Sequence, residues 1–155
     1  MKQKIQITGF FSLFFLLVFS CARATDHSKI VQGLDAIWSR GEIDLVDRYF
    51  ESDYILHSPG QKDLHGRAAV REWVVNGRRA FPDIQLKVED VAREGDKLVV
   101  RYSWHGTNTG PIRTSTGEIP PTGKRAAKSG VSFFYPRNGK IAEEYNFAIS
   151  VDPGQ

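Results

Sequence analysis

The stretch KRAAKSGVSFFYPRNGKIAEEYNFAISV, residues 124–151, decides the fold class. It contains two β-prone runs, at about 124–135 and 140–151, on either side of Asn138-Gly139. This dipeptide is a strong hairpin signal, because both positions of the tight turn require positive φ. The last part of the chain is therefore predicted to be an antiparallel hairpin with long strands.

The preceding residues predict a second hairpin. Apolar and polar residues alternate over 84–88, and a long β-prone run follows at 97–105, with Glu94-Gly95-Asp96 as the turn between them. The stretch 106–123 is rich in Gly, Pro and Thr and is predicted to be a loop.

The first half of the chain predicts helices. Apolar residues recur at helical spacing over 27–39, a shorter helix is predicted at 45–50, and a third at 67–80. Phe81 ends the third helix, because a residue that precedes proline is disfavoured in the helical region. A short strand is predicted at 54–57.

Helices that are separate in sequence from an antiparallel sheet indicate an α+β domain. We expect one curved antiparallel sheet closed by three helices, which would enclose a cone-shaped space.

The first 24 residues have the pattern of a secretory signal peptide. A positive start is followed by an apolar run at 10–19 and by Ala22-Arg23-Ala24, whose small residues suit signal peptidase. A competing interpretation is a lipoprotein signal that ends before Cys21. We therefore expect a domain over 25–155 that is exported to the periplasm or beyond, either free or anchored by a lipid on Cys21.

Charge argues against a nucleic-acid partner. The chain has a formal charge of +3, with 21 basic and 18 acidic residues. Three of the basic residues lie within 1–24, so the predicted mature chain has 18 of each sign. A neutral domain lacks the electrostatic attraction that dominates nucleic-acid binding. Cys21 is the only cysteine, which excludes an intramolecular disulfide and a cysteine metal site.

Seven short motifs over residues 27–149 resemble, in order, those of the SnoaL-like polyketide cyclases (ester cyclases), which have the nuclear transport factor 2-like fold. They are Trp38-Ser39-Arg40-Gly41-Glu42, His57 before Ser58-Pro59, Gly66 at a helix start, Ala80-Phe81-Pro82-Asp83, Gly106-Thr107-Asn108-Thr109-Gly110, Pro121-Thr122-Gly123-Lys124, and Gly139-Lys140-Ile141 followed by Glu143-Glu144-Tyr145. The resemblance implies a hydrophobic pocket and cofactor-free aldol cyclisation, with an Asp on the last strand as general acid/base.

The sequence departs from that family pattern at the acid/base position. Where the family has Glu-x-Trp-x-x-x-Asp, residues 143–149 end in Ile149, which can neither take nor give a proton. Asn108 stands where many relatives have His. The enzyme assignment, a polyketide cyclase-like lyase or isomerase, therefore stays open.

Three residues are candidates for the missing acid/base chemistry. Strand alternation places Glu143 on one face with Ile141, Tyr145, Phe147 and Ile149, and the resemblance places that face toward the pocket. A buried carboxylate there would suit a general base, whereas a solvated one, or one paired with Lys140, would not.

His57 is a candidate proton shuttle, since histidine titrates near neutral pH, or a group that binds a substrate carbonyl, or else a core histidine bonded to backbone. Arg101 is a candidate for holding a substrate carboxylate or an enolate oxygen, or else forms a surface ion pair. The candidate substrate-binding residues are Trp38, Phe81, Trp104, His105, Asn108, Tyr145, Phe147 and Ile149. We expect no metal, because His57, Asp63 and His65 match no ligand spacing, and no other cofactor.

Two functional classes follow. The first is an exported SnoaL-like protein that acts without cofactor on a small hydrophobic carbonyl compound by proton abstraction or aldol-type chemistry. The second is a non-catalytic protein of the same fold that binds a small hydrophobic ligand or forms a homodimer, because Ile149 replaces the Asp. In both, the membrane is contacted only through a lipid on Cys21.

Overall fold

A computed structural model describes residues 27–114 and 116–151. The predicted signal peptide, including Cys21, lies outside these residues. Within the described ranges, no helix has the length and apolar composition needed to cross a membrane.

The three predicted helices are confirmed. Helix α1 spans His27–Trp38, and a 3₁₀ turn at Ile43–Leu45 leads directly into the short helix α2, Val46–Tyr49. Helix α3 spans Gly66–Ala80. It begins at a glycine with a φ of 77°, a conformation that other residues rarely adopt.

Six strands of the described residues form one sheet. They are β1 (Phe50–His57), β2 (Leu64–His65), β3 (Gln85–Glu94), β4 (Lys97–Thr107), β7 (Arg125–Arg137) and β8 (Lys140–Val151). Their order from edge to edge is β2-β1-β8-β7-β4-β3. The turn between β7 and β8 has positive φ at Asn138 (52°) and Gly139 (80°), which confirms the predicted hairpin.

Two features of the sheet differ from the sequence prediction. Strand β1 pairs with β8 in parallel, so the sheet is mixed rather than wholly antiparallel. The predicted loop at 106–123 also contains a small separate hairpin, β5 (Ile112–Thr114) with β6 (Gly117–Ile119). Strands this short leave little periodic signal among turn residues.

A one-residue bulge in β8 sets the orientation of everything after it. Tyr135 of β7 pairs with Glu143, but the next residue, Pro136, pairs with Ile141, so Ala142 has no partner of its own in that ladder. An unpaired residue reverses the alternation of side chains between the two faces of a strand. Ile141 and Glu144 are therefore both buried.

The hydrophobic core lies between the inner face of the sheet and the helices. Its fully buried members include Ile30 and Ile37 from α1, Val74 from α3, and Leu98 and Ile141 from the sheet. Because the sheet curves around the helices, this core continues into an open cavity, and the predicted cone-shaped α+β fold is confirmed.

Candidate active site

The cone contains an apolar cavity of about 290 Å³ between helices α1 and α3 and the inner face of the sheet. This volume is just below the usual range for small-molecule pockets, roughly 300–1,000 Å³. All three tryptophans of the chain, Trp38, Trp73 and Trp104, line it. Trp38 and Trp73 pack edge to face, with ring centroids 4.6 Å apart.

Glu144 lies at the polar end of this cavity. Its side chain is on the inner face of β8 and the residue is only 6% exposed. The Tyr54 hydroxyl donates to Glu144 Oε2 at 2.6 Å, and the Ser132 hydroxyl donates to Oε1 at 2.7 Å. These contacts fix the carboxyl group while it faces the cavity.

Asn146 connects this carboxyl group to a second tyrosine. Its side-chain amide donates to the Ser132 hydroxyl at 2.8 Å and to the Tyr102 hydroxyl at 2.6 Å. Since Tyr102 accepts this bond and lines the cavity, its own O–H can donate to a bound molecule.

Burial sets the acidity of the cluster. Loss of solvation raises the pKa of Glu144 above its ordinary value of 4.5, against the opposing effect of hydrogen bonds from Tyr54, Ser132 and Asn146. Burial also raises the pKa of Tyr54 and of Tyr102. Both tyrosine hydroxyls therefore stay protonated as donors. The raised pKa of Glu144 suits a group that accepts and returns a proton.

A wider groove of about 740 Å³ adjoins the cavity. The two spaces share five lining residues, Trp73, Tyr102, Trp104, Lys128 and Asn146. Ser58, Pro59, Gln61 and Lys62 of the loop after β1 also line the groove. A ligand can therefore extend from the apolar cavity into a more polar, open cleft.

A second cluster of ionisable residues lies on the outer face of the sheet, around His57. Its Nδ1 is 3.0 Å from Asp63 Oδ2, and its Nε2 is 3.1 Å from Glu143 Oε1. The Tyr145 hydroxyl donates to the same Glu143 oxygen at 3.0 Å, and the Tyr145 ring stacks on His57 at 4.5 Å. None of these four residues lines the cavity.

A family model, SnoaL-like polyketide cyclase, matches residues 28–148. The chain belongs to the SnoaL-like polyketide cyclase family. No curated protein gives a match to this chain.

Solved structures show the same fold. TsrD from Streptomyces laurentii is 23% identical, with a TM-score of 0.69, over 81% of this chain and 89% of that one. A SnoaL-like protein from Jannaschia sp. CCS1 is 20% identical, with a TM-score of 0.65, over 78% and 85%. A candidate polyketide cyclase from Acidithiobacillus ferrooxidans is 28% identical, with a TM-score of 0.65, over 77% of this chain and 85% of that one.

The structure brings only some of the predicted site residues of this SnoaL-like protein together. Trp38, Phe81 and Trp104 line the cavity. Arg101, Phe147 and Ile149 contribute to the adjoining groove from the outer face of the sheet, since Val100 and Asn146 beside them face inward. His57, His105, Asn108, Glu143 and Tyr145 line neither space. A catalytic role for His57 and Glu143 would therefore need a substrate on the outer face.

Asn108 is buried for a structural reason. Its side-chain amide donates to the carbonyl oxygens of Ala80 and Gly110, and its Oδ1 accepts from the backbone N–H of Thr122. These bonds tie the loop after β4 to the end of helix α3.

The expectation that Glu143, Tyr145, Phe147 and Ile149 face the cavity is wrong for this SnoaL-like chain. The bulge at Ala142 turns them to the outer face, where Tyr145 is 38% and Ile149 68% exposed. Glu143 does not pair with Lys140 either, since Lys140 Nζ donates to the backbone carbonyl of Asp47.

Sequence reasoning missed Glu144 and the residues that hold it, Tyr54, Ser132 and Asn146. A signal for Glu144 was present, because adjacent strand residues face opposite sides. One carboxylate of the Glu143-Glu144 pair has to face inward whichever register the strand adopts.

Proposed function

We propose that this exported SnoaL-like protein acts without a cofactor on a small hydrophobic carbonyl compound, by proton abstraction or an aldol-type step, with Glu144 as the acid/base. The observation that carries the proposal is a buried carboxyl group facing an apolar cavity, whose hydrogen-bond donors in the described part of the chain are all neutral. Such surroundings keep the proton affinity of a carboxylate high.

The chemistry uses two groups of the cavity. The Glu144 carboxylate takes a proton from the carbon next to the substrate carbonyl, and the C–H electron pair forms an enolate. The Tyr102 O–H donates to the enolate oxygen, where negative charge develops. The enolate carbon then bonds to a second carbonyl carbon of the same molecule, and the proton on Glu144 passes to the alkoxide formed there.

Hydrogen–deuterium exchange at the α carbon tests proton abstraction without a known product. We would incubate the protein with 4-phenyl-2-butanone in D₂O and follow loss of the α-proton NMR signals. The wild-type protein is expected to accelerate exchange, and Glu144→Gln to reduce the acceleration roughly 100- to 10,000-fold. Glu143→Gln, the matched control, should keep it. Acceleration that survives in Glu144→Gln would overturn the assignment.

Export is supported by the pattern of residues 1–24. Intact mass of the protein isolated from cell fractions would distinguish cleavage after Ala24 from cleavage before Cys21. Palmitate labelling of Cys21→Ala tests the lipid anchor, because label retained by this variant would exclude it.

The alternative is a non-catalytic carrier that uses the same cavity. The carrier function is favoured because both carboxylate oxygens of Glu144 already accept hydrogen bonds, from Tyr54 and from Ser132. Native mass spectrometry separates the two functions: a co-purified hydrophobic ligand that is released chemically unchanged supports a carrier.

We also propose that the outer face of the sheet pairs with a second copy of the chain. Tyr135, Tyr145, Phe147, Ile149 and Val151 are between 38% and 68% exposed there. Contiguous apolar patches of this kind mark interaction surfaces, and the same patch on two copies can pair about a two-fold axis. Sedimentation velocity should show a dimer that Phe147→Glu converts to a monomer, whereas a monomeric wild-type protein would contradict this arrangement.

A further inference from the structure

Lys128 lies at the junction between the cavity and the groove and lines both. It is on the inner face of β7, directly opposite Trp104 of β4. The residue is half-buried, and its Nζ is 5.8 Å from the centroid of the Trp104 ring. Across residues 27–114 and 116–151, no carboxylate forms an ion pair with it.

The side chains that line the groove give it a positive charge. Among the described residues that line the groove, Lys62, Arg101 and Lys128 are cations and none is an aspartate or glutamate; Arg101 contributes from the outer face of the sheet, because its neighbour Val100 is buried on the inner face. Arg101 is within electrostatic reach of Glu89, whereas Lys128 lies against the ring of Trp104 and forms no ion pair within the described part of the chain. Cationic clefts with low-dielectric walls concentrate anions, so the charge of Lys128 is available to a ligand.

We infer that the protein recognises amphipathic carboxylates, with the apolar part of the ligand in the 290 Å³ cavity and its carboxylate on Lys128. This inference rests on the proposed function, because it uses the same cavity. It narrows the substrate to a carbonyl compound that carries an anionic group away from the reacting carbon.

The spacing of the two polar ends constrains that ligand. Lys128 and Ser132 lie on the same face of β7, and Ser132 is hydrogen-bonded to Glu144. Four residues along a strand correspond to roughly 13 Å. The ligand therefore needs a chain of several carbons between its carboxylate and the carbon that approaches Glu144.

Fluorescence titration of the cavity tryptophans tests the inference with two probes of equal chain length, decanoate and 1-decanol. Wild-type protein is expected to bind both. Lys128→Met should weaken decanoate binding roughly tenfold, the effect of one charge-assisted contact, and leave 1-decanol binding unchanged. Lys128→Arg should retain decanoate binding. Lys124→Met removes an exposed lysine outside both spaces and controls for net charge.

Decanoate affinity that is unchanged in Lys128→Met would overturn the carboxylate site and leave the apolar cavity as a binding site intact. Failure of folded wild-type protein, verified by circular dichroism, to bind either probe would overturn both the carboxylate site and the proposed ligand cavity. Equal weakening of both probes by Lys128→Met would also contradict the inference, because it would indicate loss of cavity shape rather than of charge.

Discussion

Glu143 and Glu144 are adjacent residues of one strand, and each accepts a hydrogen bond from a tyrosine hydroxyl. Glu144 is buried on the inner face, 2.6 Å from the Tyr54 hydroxyl. Glu143 is on the outer face, 3.0 Å from the exposed Tyr145 and next to His57. Similar contacts thus occur in two dielectric environments, separated by one peptide unit. The comparison shows that the bulge at Ala142, rather than residue type, decides which carboxylate faces the cavity.

Removing each carboxylate in turn should give the largest difference in unfolding free energy between the inner and outer faces. Glu144→Ala leaves the buried hydroxyl groups of Tyr54 and Ser132 without their acceptor, and should lower the free energy of unfolding by about 3 kcal/mol. Glu143→Ala should cause no measurable loss, because its partners are open to water. Urea denaturation of both variants measures the difference, and equal losses would mean that the two environments are not distinct.

Removing one tyrosine hydroxyl at a time is a finer comparison. Tyr54→Phe deprives the buried Glu144 of a donor and should cost about 2 kcal/mol of unfolding free energy. Tyr145→Phe makes the same chemical change on the outer face and should leave stability unchanged. Thermal denaturation of the two variants against wild type is sufficient, and a larger loss in Tyr145→Phe would reverse the interpretation.

The smallest expected effect is a pH dependence of stability. Burial raises the pKa of folded Glu144 above the ordinary 4.5, so between these two values the folded state keeps a proton that the unfolded state has lost. The free energy of unfolding should therefore decrease as pH rises through this window. Glu144→Gln has no such titration, and its stability should vary less with pH over the same range. A wild-type stability that rises relative to Glu144→Gln there would contradict the sign.

Local signals were sufficient to predict most of the fold. Asn138-Gly139 has the positive φ that a tight hairpin requires, and helix α3 ends before Pro82 as expected. These features depend on the conformations open to one or two residues. The parallel pairing of β1 with β8 joins residues far apart in sequence, and no local pattern specifies it.

The site was harder to predict, because it depends on a single unpaired residue. The prediction carried one unbroken alternation from Ile141 to Ile149. Ala142 reverses the phase of that alternation, so Glu143 was assigned to the face that Glu144 occupies. Trp38, Phe81 and Trp104 do line the cavity, since large aromatic residues pack inward for reasons independent of that register; that they bind a substrate stays a prediction.

The central claim is that Glu144 is a buried carboxyl group with raised proton affinity at the end of an apolar cavity. Titration of its side-chain carboxyl ¹³C resonance by NMR, assigned by comparison with Glu144→Gln, tests this most directly. The account predicts a midpoint above 4.5 that moves higher still in Tyr54→Phe, because loss of a hydrogen-bond donor destabilises the carboxylate. A midpoint at or below 4.5, unaffected by Tyr54→Phe, would contradict it.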